Sequence, residues 1–292
     1  MNNTSWIVCN AFLSKAGASI KNKLVRYLPQ TEQEVINKIS PSESNPLTAK
    51  YDQSDLLNLV HYTWLTAFLR TLSEVDVGLF LSSLPEPLVK PIKNAVLYSK
   101  DLSKITICAQ EYLRSILIDT LLKDQPDIIP IPVLPHSPMN TLLQLPHSTL
   151  QKLIEYLGLH DLSVEMKQII DMVKIKKIQT TLPEDKIIYL KGLSQKAEPV
   201  LFKRMELSKW DGTPDTLFKV LYHRGLNRLA KALHPEHASL IWYITRMIPW
   251  QESTTFQNLC KPLEHPKAAP LLAHQILEIL PLLQKNSPKD LL

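Results

Sequence analysis

The residues best placed to hold a metal are His234, Glu236, His237, Cys260 and His265. A zinc helix of the H-E-x-x-H type sets its histidines four apart, with glutamate after the first, so that both face one ion. Here the histidines are three apart with Pro235 between them. That spacing suits a surface turn at a helix start, and no metal or cofactor is expected. Nucleophilic catalysis needs an activated serine or cysteine in a strained turn, usually with glycine beside it. No serine lies in G-x-S-x-G, and Cys108, among Ile105, Ile107, Tyr112 and Ile116, reads as a small core residue. The six glycines, Gly17, Gly78, Gly158, Gly192, Gly212 and Gly225, never approach the spacing of a dinucleotide or P-loop fingerprint.

What remains is charge suited to a protein partner. Arg224, Arg228 and Lys231 recur at intervals of four and three, which sets them on one helical face. From Lys203 to Arg246 there are eight basic residues against four acidic ones, a surface suited to an acidic partner. The first 31 residues contain Lys15, Lys21, Lys23 and Arg26 and no acid, with Trp6, Leu13, Ile20, Leu24 and Tyr27 at helical intervals. Such a helix either docks on the body of the protein or lies on a membrane surface.

The elements that carry these residues are helical throughout. Only 6 Gly stand in 292 residues, about 2 % where 7 % is usual, while 22 Pro exceed the usual share. Each of Leu28-Pro29, Leu84-Pro85, Leu145-Pro146 and Leu182-Pro183 ends one apolar-periodic stretch and opens another, because proline is tolerated in a first turn and breaks a helix interior. The spacings of 56, 61 and 37 residues between these corners are too irregular for a strict solenoid. An all-α fold is predicted, with irregular helical-repeat packing of roughly twelve to sixteen short helices.

Local signals refine it. Ser54 to Leu72 reads as one helix, and Ser73 to Asp76 has capping-box spacing for the next. Leu162, Met166, Ile169, Ile170, Val173, Ile178 and Leu182 suggest one long amphipathic helix. Gly158 and Gly225 read as helix C-caps, and Thr213-Pro214 as a helix start. Asn37 to Lys50 looks like a linker, and the proline-rich 126–138 segment like a surface strap between an N-terminal unit (1–125) and a C-terminal unit (139–285) that precedes a tail (286–292).

Global numbers add exclusions. A formal charge of +5 is too small to predict nucleic-acid binding. Three distant cysteines offer no disulfide framework and fit a reducing, cytoplasmic compartment. No apolar run reaches the 18 or so residues of a membrane span, and Trp6 to Leu13 lacks the basic flank of a secretory signal.

Two resemblances sharpen this reading. The Leu-Pro corners, the Val75 to Pro85 segment and Glu264-His265-Pro266-Lys267 before an apolar helix resemble the armadillo-type units of the flagellar switch protein FliG, whose Glu-His-Pro-Gln motif opens a helix at a partner surface. Lys267 replaces the glutamine and no torque-generating charged domain follows, so a motor role is not expected. Residues 140–285, with Tyr156 to Leu162, Trp210-Asp211-Gly212, His223 to Leu226 and Leu240 to Tyr243, resemble type III secretion accessory proteins of the SctK kind. That resemblance implies a non-enzymatic adaptor on the cytoplasmic sorting platform, linking ring and pod components at the inner membrane. The alternatives are a secreted effector that binds a host protein and an all-α enzyme. The expected partner-binding residues are Arg224, Arg228 and Lys231, with Glu264, His265 and Pro266 as a polar knob.

Overall fold

The computed structural model describes residues 3–39, 53–123, 125, 127–169, 171–205, 207, 210–265 and 267–285. Most of the expected 37–50 linker, Pro126, Ile170, Pro266 and the tail from 286 lie outside them. The described residues form helices and connecting segments with no strand, so the fold is all-α. None of these helices is long and apolar enough to cross a membrane.

The proline corners work as their chemistry requires. Pro29, Pro85, Pro146 and Pro183 are the N-cap residues of α3 (Gln30–Lys38), α7 (Glu86–Val96), α9 (His147–Met166) and α11 (Glu184–Ser194). Their φ values of −55° to −58° with ψ of 141° to 152° are the extended conformation that proline prefers. Glu32, Glu86, Glu184 and Asp185 then occupy first turns, where the helix dipole favours negative charge. The capping reading also holds at α6 (Glu74–Ser83), where Ser73 Oγ accepts the Asp76 N–H at 3.3 Å. Thr213 is the N-cap residue of α12 (Pro214–Leu233), with Pro214 in the first turn, although its hydroxyl bonds the Asp211 and Thr216 side chains and makes no capping bond.

The chain divides into two units, each built from two stretches of sequence. The first joins Met1–Leu143 to Glu236–Ser253, and the second joins Gln144–Pro235 to Thr254–Leu292. This differs from the contiguous division at 126–138, because proline content marks helix corners and carries no information about which stretches share a core.

In the first unit, α1 (Asn3–Lys15) packs with α2 (Ala18–Val25) and α3 around Trp6, Val25 and Ile36. The Ser54 to Leu72 stretch is two helices, α4 (Gln53–Leu59) and α5 (Thr63–Leu69), because the His61 N–H turns to the Arg246 carbonyl at 2.8 Å. α6 and α4 pack on α8 (Ile107–Leu122), and α5 on α7. Cys108 sits on the exposed side of α8, as do Ile107 and Tyr112, so it is not the core residue expected. The 127–138 strap lies on the first unit through its apolar residues: Asp127, His136 and Pro138 are exposed, while Ile129, Val133 and Leu134 are buried. Ile129 is fully buried, its N–H donates to Ser239 Oγ at 3.0 Å, and its carbonyl accepts from Tyr243 Oη at 2.9 Å, which binds the strap to α13 (Ala238–Met247).

The second unit is centred on α9 and α12, with α15 (Ala268–Lys285) against both and α11 against α9. The expected helix over 162–182 is interrupted: α9 ends at Met166, and Asp171 caps α10 (Met172–Thr181) by accepting from the Val173 N–H at 2.9 Å. Met172 and Val173 are consequently exposed, while Ile178 and Leu182 are buried. α14 (Trp250–Leu259) runs across the boundary between the two units in sequence.

Neither Gly158 nor Gly225 ends a helix; both lie inside one. A Cβ on Gly158 would overlap the Leu221 carbonyl, and one on Gly225 would overlap the Ile154 carbonyl. Their missing side chains let the α9 and α12 backbones touch. Gly158→Ala and Gly225→Ala are therefore each expected to lower unfolding stability by about 1–3 kcal/mol or more, the usual cost of overpacking. Gly192→Ala on α11, with nothing within 4 Å of the added methyl, should be neutral or stabilising by up to about 1 kcal/mol. Urea unfolding of the three variants checks the contrast.

Candidate functional site: a buried charge cluster beside a groove

Arg228 of α12 has a relative exposure of 0 % and points into the second unit. Its Nε donates to Asp161 Oδ1 at 3.1 Å, and Nη2 donates to the same oxygen and to the Val200 carbonyl. Its Nη1 donates to Glu198 Oε1 at 2.8 Å and to Gln275 Oε1 at 2.9 Å. Those bonds use all the N–H groups of a guanidinium. The Phe202 ring lies 5.2 Å from the guanidinium carbon. Glu198 is held in turn by Gln275 Nε2 at 2.6 Å and by His160 Nδ1 at 2.8 Å, and His160 Nε2 meets Tyr189 Oη at 2.9 Å. One connected network thus spans α9, α11, the 198–200 segment, α12 and α15.

Electrostatics divides the two carboxyls facing Arg228. Burial pushes Asp161 up, against the pull of Arg228. Burial also acts to raise Glu198, but the His160 hydrogen bond and the Arg228 charge outweigh it and hold that carboxyl at about 2. Glu198 is therefore the firm anion of the cluster. Burial raises the Tyr189 phenol, so it stays protonated and able to donate.

Beside this cluster lies a groove of about 560 Å³. His160, Tyr189, Glu198 and Gln275 line it, together with Ile188, Leu271 and Leu282, which are also exposed to solvent. His274 and Glu278, 3.4 Å apart on α15, stand on its lining too. Chemically the polar part is mostly committed: each ring nitrogen of His160 and both oxygens of Glu198 have partners within the protein, while Asp161 Oδ2, behind them, is buried without a hydrogen bond. Among the described residues no serine, threonine or cysteine lines the groove. Burial pushes the Cys260 thiol up to about 11, which favours its protonated form at neutral pH. Among the described residues no group of His, Cys, Asp and Glu could hold a metal ion.

The structure separates the residues expected to form one basic face. Arg228 is internal, because α12 turns it onto the same side as Leu217 and Leu221, so it cannot be a rim charge for a partner. Arg224 is half-buried and caps the Lys203 and Arg204 carbonyls, each at 2.7 Å. Lys231, two turns further along, reaches the Lys261 carbonyl at 3.1 Å. Glu264 and His265 are exposed in the segment between α14 and α15, and α15 starts at Ala268, where the Ala268 N–H meets the His265 carbonyl at 3.0 Å. Lys231 thus bonds to the segment that leads into this corner, while Arg224 serves another segment. Asp161, His160, Tyr189, Glu198 and Gln275 were not anticipated. Their one sequence signal is Arg228 itself, a charge on an otherwise apolar helical stripe.

Removing Arg228 leaves two buried carboxyls without their counter-charge, so Arg228→Ala is expected to cost about 3–5 kcal/mol of unfolding stability, against about 1 kcal/mol for Arg224→Ala. Acid should expose the Glu198 contribution. Its folded value of about 2 lies below the ordinary 4.5, so its stabilisation is present above 4.5 and is lost as pH falls toward 2. The amount is about 3 kcal/mol, partly offset by Asp161, whose raised carboxyl is relieved by the same protonation. Urea unfolding titrated from neutral pH to about pH 2 should show a shallower acid loss in Glu198→Gln than in the parent chain.

No family model matches the chain, and no curated protein or solved structure was found to be significantly similar to it.

Proposed function

We propose that the protein is a non-enzymatic adaptor that binds other proteins, of the kind that works on the cytoplasmic sorting platform of a bacterial type III secretion system. The observation that carries the adaptor reading is the use of the unit's strongest polar groups. Arg228, Glu198, Asp161 and His160 are spent on holding helices together, and the charges left toward the outside include the half-buried Lys231 and the exposed Glu264-His265 corner. That is the arrangement of a rigid support with a charged rim, which sets partner orientation and association rate. The platform assignment rests on the resemblance of Tyr156 to Leu162 and His223 to Leu226. These two segments meet at the α9–α12 crossing, so they are the segments on which a shared fold would depend.

Native co-purification from the producing bacterium tests the assignment. Recovery with the ring and pod components of a secretion platform is expected, and recovery only from culture medium or host cytosol would replace the adaptor with an effector. Reversing Lys231→Glu and Glu264→Lys together should weaken that recovery and its salt dependence while changing unfolding stability by less than about 1 kcal/mol. Unchanged binding to every platform component would remove this rim from the proposal.

A further inference from the structure

The first unit carries an outward face that its own core leaves uncovered. α2 is separated from α1 by Gly17, whose φ of +94° glycine alone adopts easily. The helix is tied down on one side only. Val25 enters the Trp6–Ile36 core, and Lys21 Nζ donates to Asn10 Oδ1 at 2.7 Å, while Asn10 Nδ2 donates to the Ile39 carbonyl at 2.9 Å. The opposite side presents Ile20, Leu24 and Tyr27 at intervals of four and three, a single stripe on a helix and its C-terminal turn. Their exposures are 51 %, 48 % and 88 %. Lys23 and Arg26 alternate with these residues in sequence and are exposed, as is Lys15 at the end of α1.

We propose that this face of α2 lies on an anionic lipid surface. Charge selects that occupant. No acidic residue precedes Glu32, so the charged residues that alternate with the apolar stripe in sequence are all cations. A protein partner of ordinary mixed charge would meet unbalanced cations there, whereas a bilayer with anionic headgroups supplies a continuous counter-charge and an apolar layer directly beneath it. The side chains have the lengths this requires. Ile20 and Leu24 enter the acyl boundary, Tyr27 places its ring there and its hydroxyl among headgroups, and lysine and arginine extend to the phosphates. Lys21 is committed inward, while Lys23 and Arg26 are exposed and reach the lipid. The contact is peripheral and reversible, since an eight-residue helix cannot span. It is independent of the adaptor reading, which concerns the second unit.

Sedimentation of the full chain with vesicles tests the proposal. Binding is expected to phosphatidylcholine vesicles containing phosphatidylglycerol, falling with added salt, and to be much weaker with phosphatidylcholine alone. Lys23→Ala with Arg26→Ala should reduce partitioning about 25-fold, near fivefold for each cation. Ile20→Ser with Leu24→Ser should reduce it at least about tenfold. Both pairs change exposed side chains, so their urea unfolding curves should match the parent's, and a shifted curve would signal a buried helix face and overturn the proposal. Equal binding to neutral vesicles, or no vesicle binding, would also overturn it. So would a dimer, seen by analytical ultracentrifugation, that is lost in the Ile20/Leu24 variant, because a second copy would then be the occupant.

Discussion

A single guanidinium sets the internal geometry of the second unit. Arg228 is placed where water cannot reach it, and a buried charge is tolerable only with its counter-charges and acceptors in position. Satisfying it requires Asp161 from α9, Glu198 and Val200 from the segment after α11, and Gln275 from α15. Each bond is directional, so the set fixes the rotation of α12 about its own axis as well as its distance from neighbours. An apolar residue of similar volume would fill the space with comparable stability and would not choose between rotations. The close contact of α9 and α12 cooperates with this choice. Gly158 and Gly225 let the two backbones approach, and one turn beyond each glycine stands a member of the charged pair, Asp161 or Arg228.

The first unit meets a related problem with a different chemistry. Its second stretch of sequence contributes α13, and the Arg246 guanidinium lies 4.0 Å from the Trp64 ring and 4.5 Å from the Trp242 ring. Guanidinium on indole is favourable because the aromatic face is negative and the cation is weakly hydrated. Around that stack, backbone groups join the two stretches: His61 to Arg246, Trp64 Nε1 to the Ile248 carbonyl at 2.9 Å, and the Ile129 strap to Ser239 and Tyr243. The unit is closed by residues about 180 positions apart in the chain, so its core forms only after the intervening segment has been made.

That organisation explains which features were legible in the sequence. Signals whose physics is local were readable: the Leu-Pro corners, the Ser73 cap, the Thr213-Pro214 start and the all-α class follow from residues within a turn of one another. Features set by a distant backbone were not. A glycine within an apolar stretch can be a C-cap or a contact point, and Gly158 reads as the first until the Leu221 carbonyl is seen against it. Likewise Arg224, Arg228 and Lys231 share a face by spacing alone. On an α-helix, however, Arg228 also stands three turns from Leu217 on the side carrying Leu221, and the structure puts it inside with them. Asp161, Glu198 and Gln275 lie in three separate parts of the chain, and no spacing rule relates them. The domain boundary failed for the same reason, because the stretch that completes the first unit begins a hundred residues after the strap.

Burial also redistributes the charge available to partners. The excess of basic residues between Lys203 and Arg246 counts Arg228 and Arg246, both of which are buried and held by groups inside their own units. What that region offers outside is therefore weaker than its composition implies, and it rests on side chains such as Lys231 that already bond to backbone carbonyls. The N-terminal helices are the reverse case. Lys15, Lys23 and Arg26 are exposed, no acid precedes Glu32, and the apolar residues among them are exposed as well. A count of charges along the chain gives both regions the same excess of four, whereas accessibility ranks the N-terminal face first. Long-range attraction follows accessible charge, because a compensated internal ion projects little field into solvent.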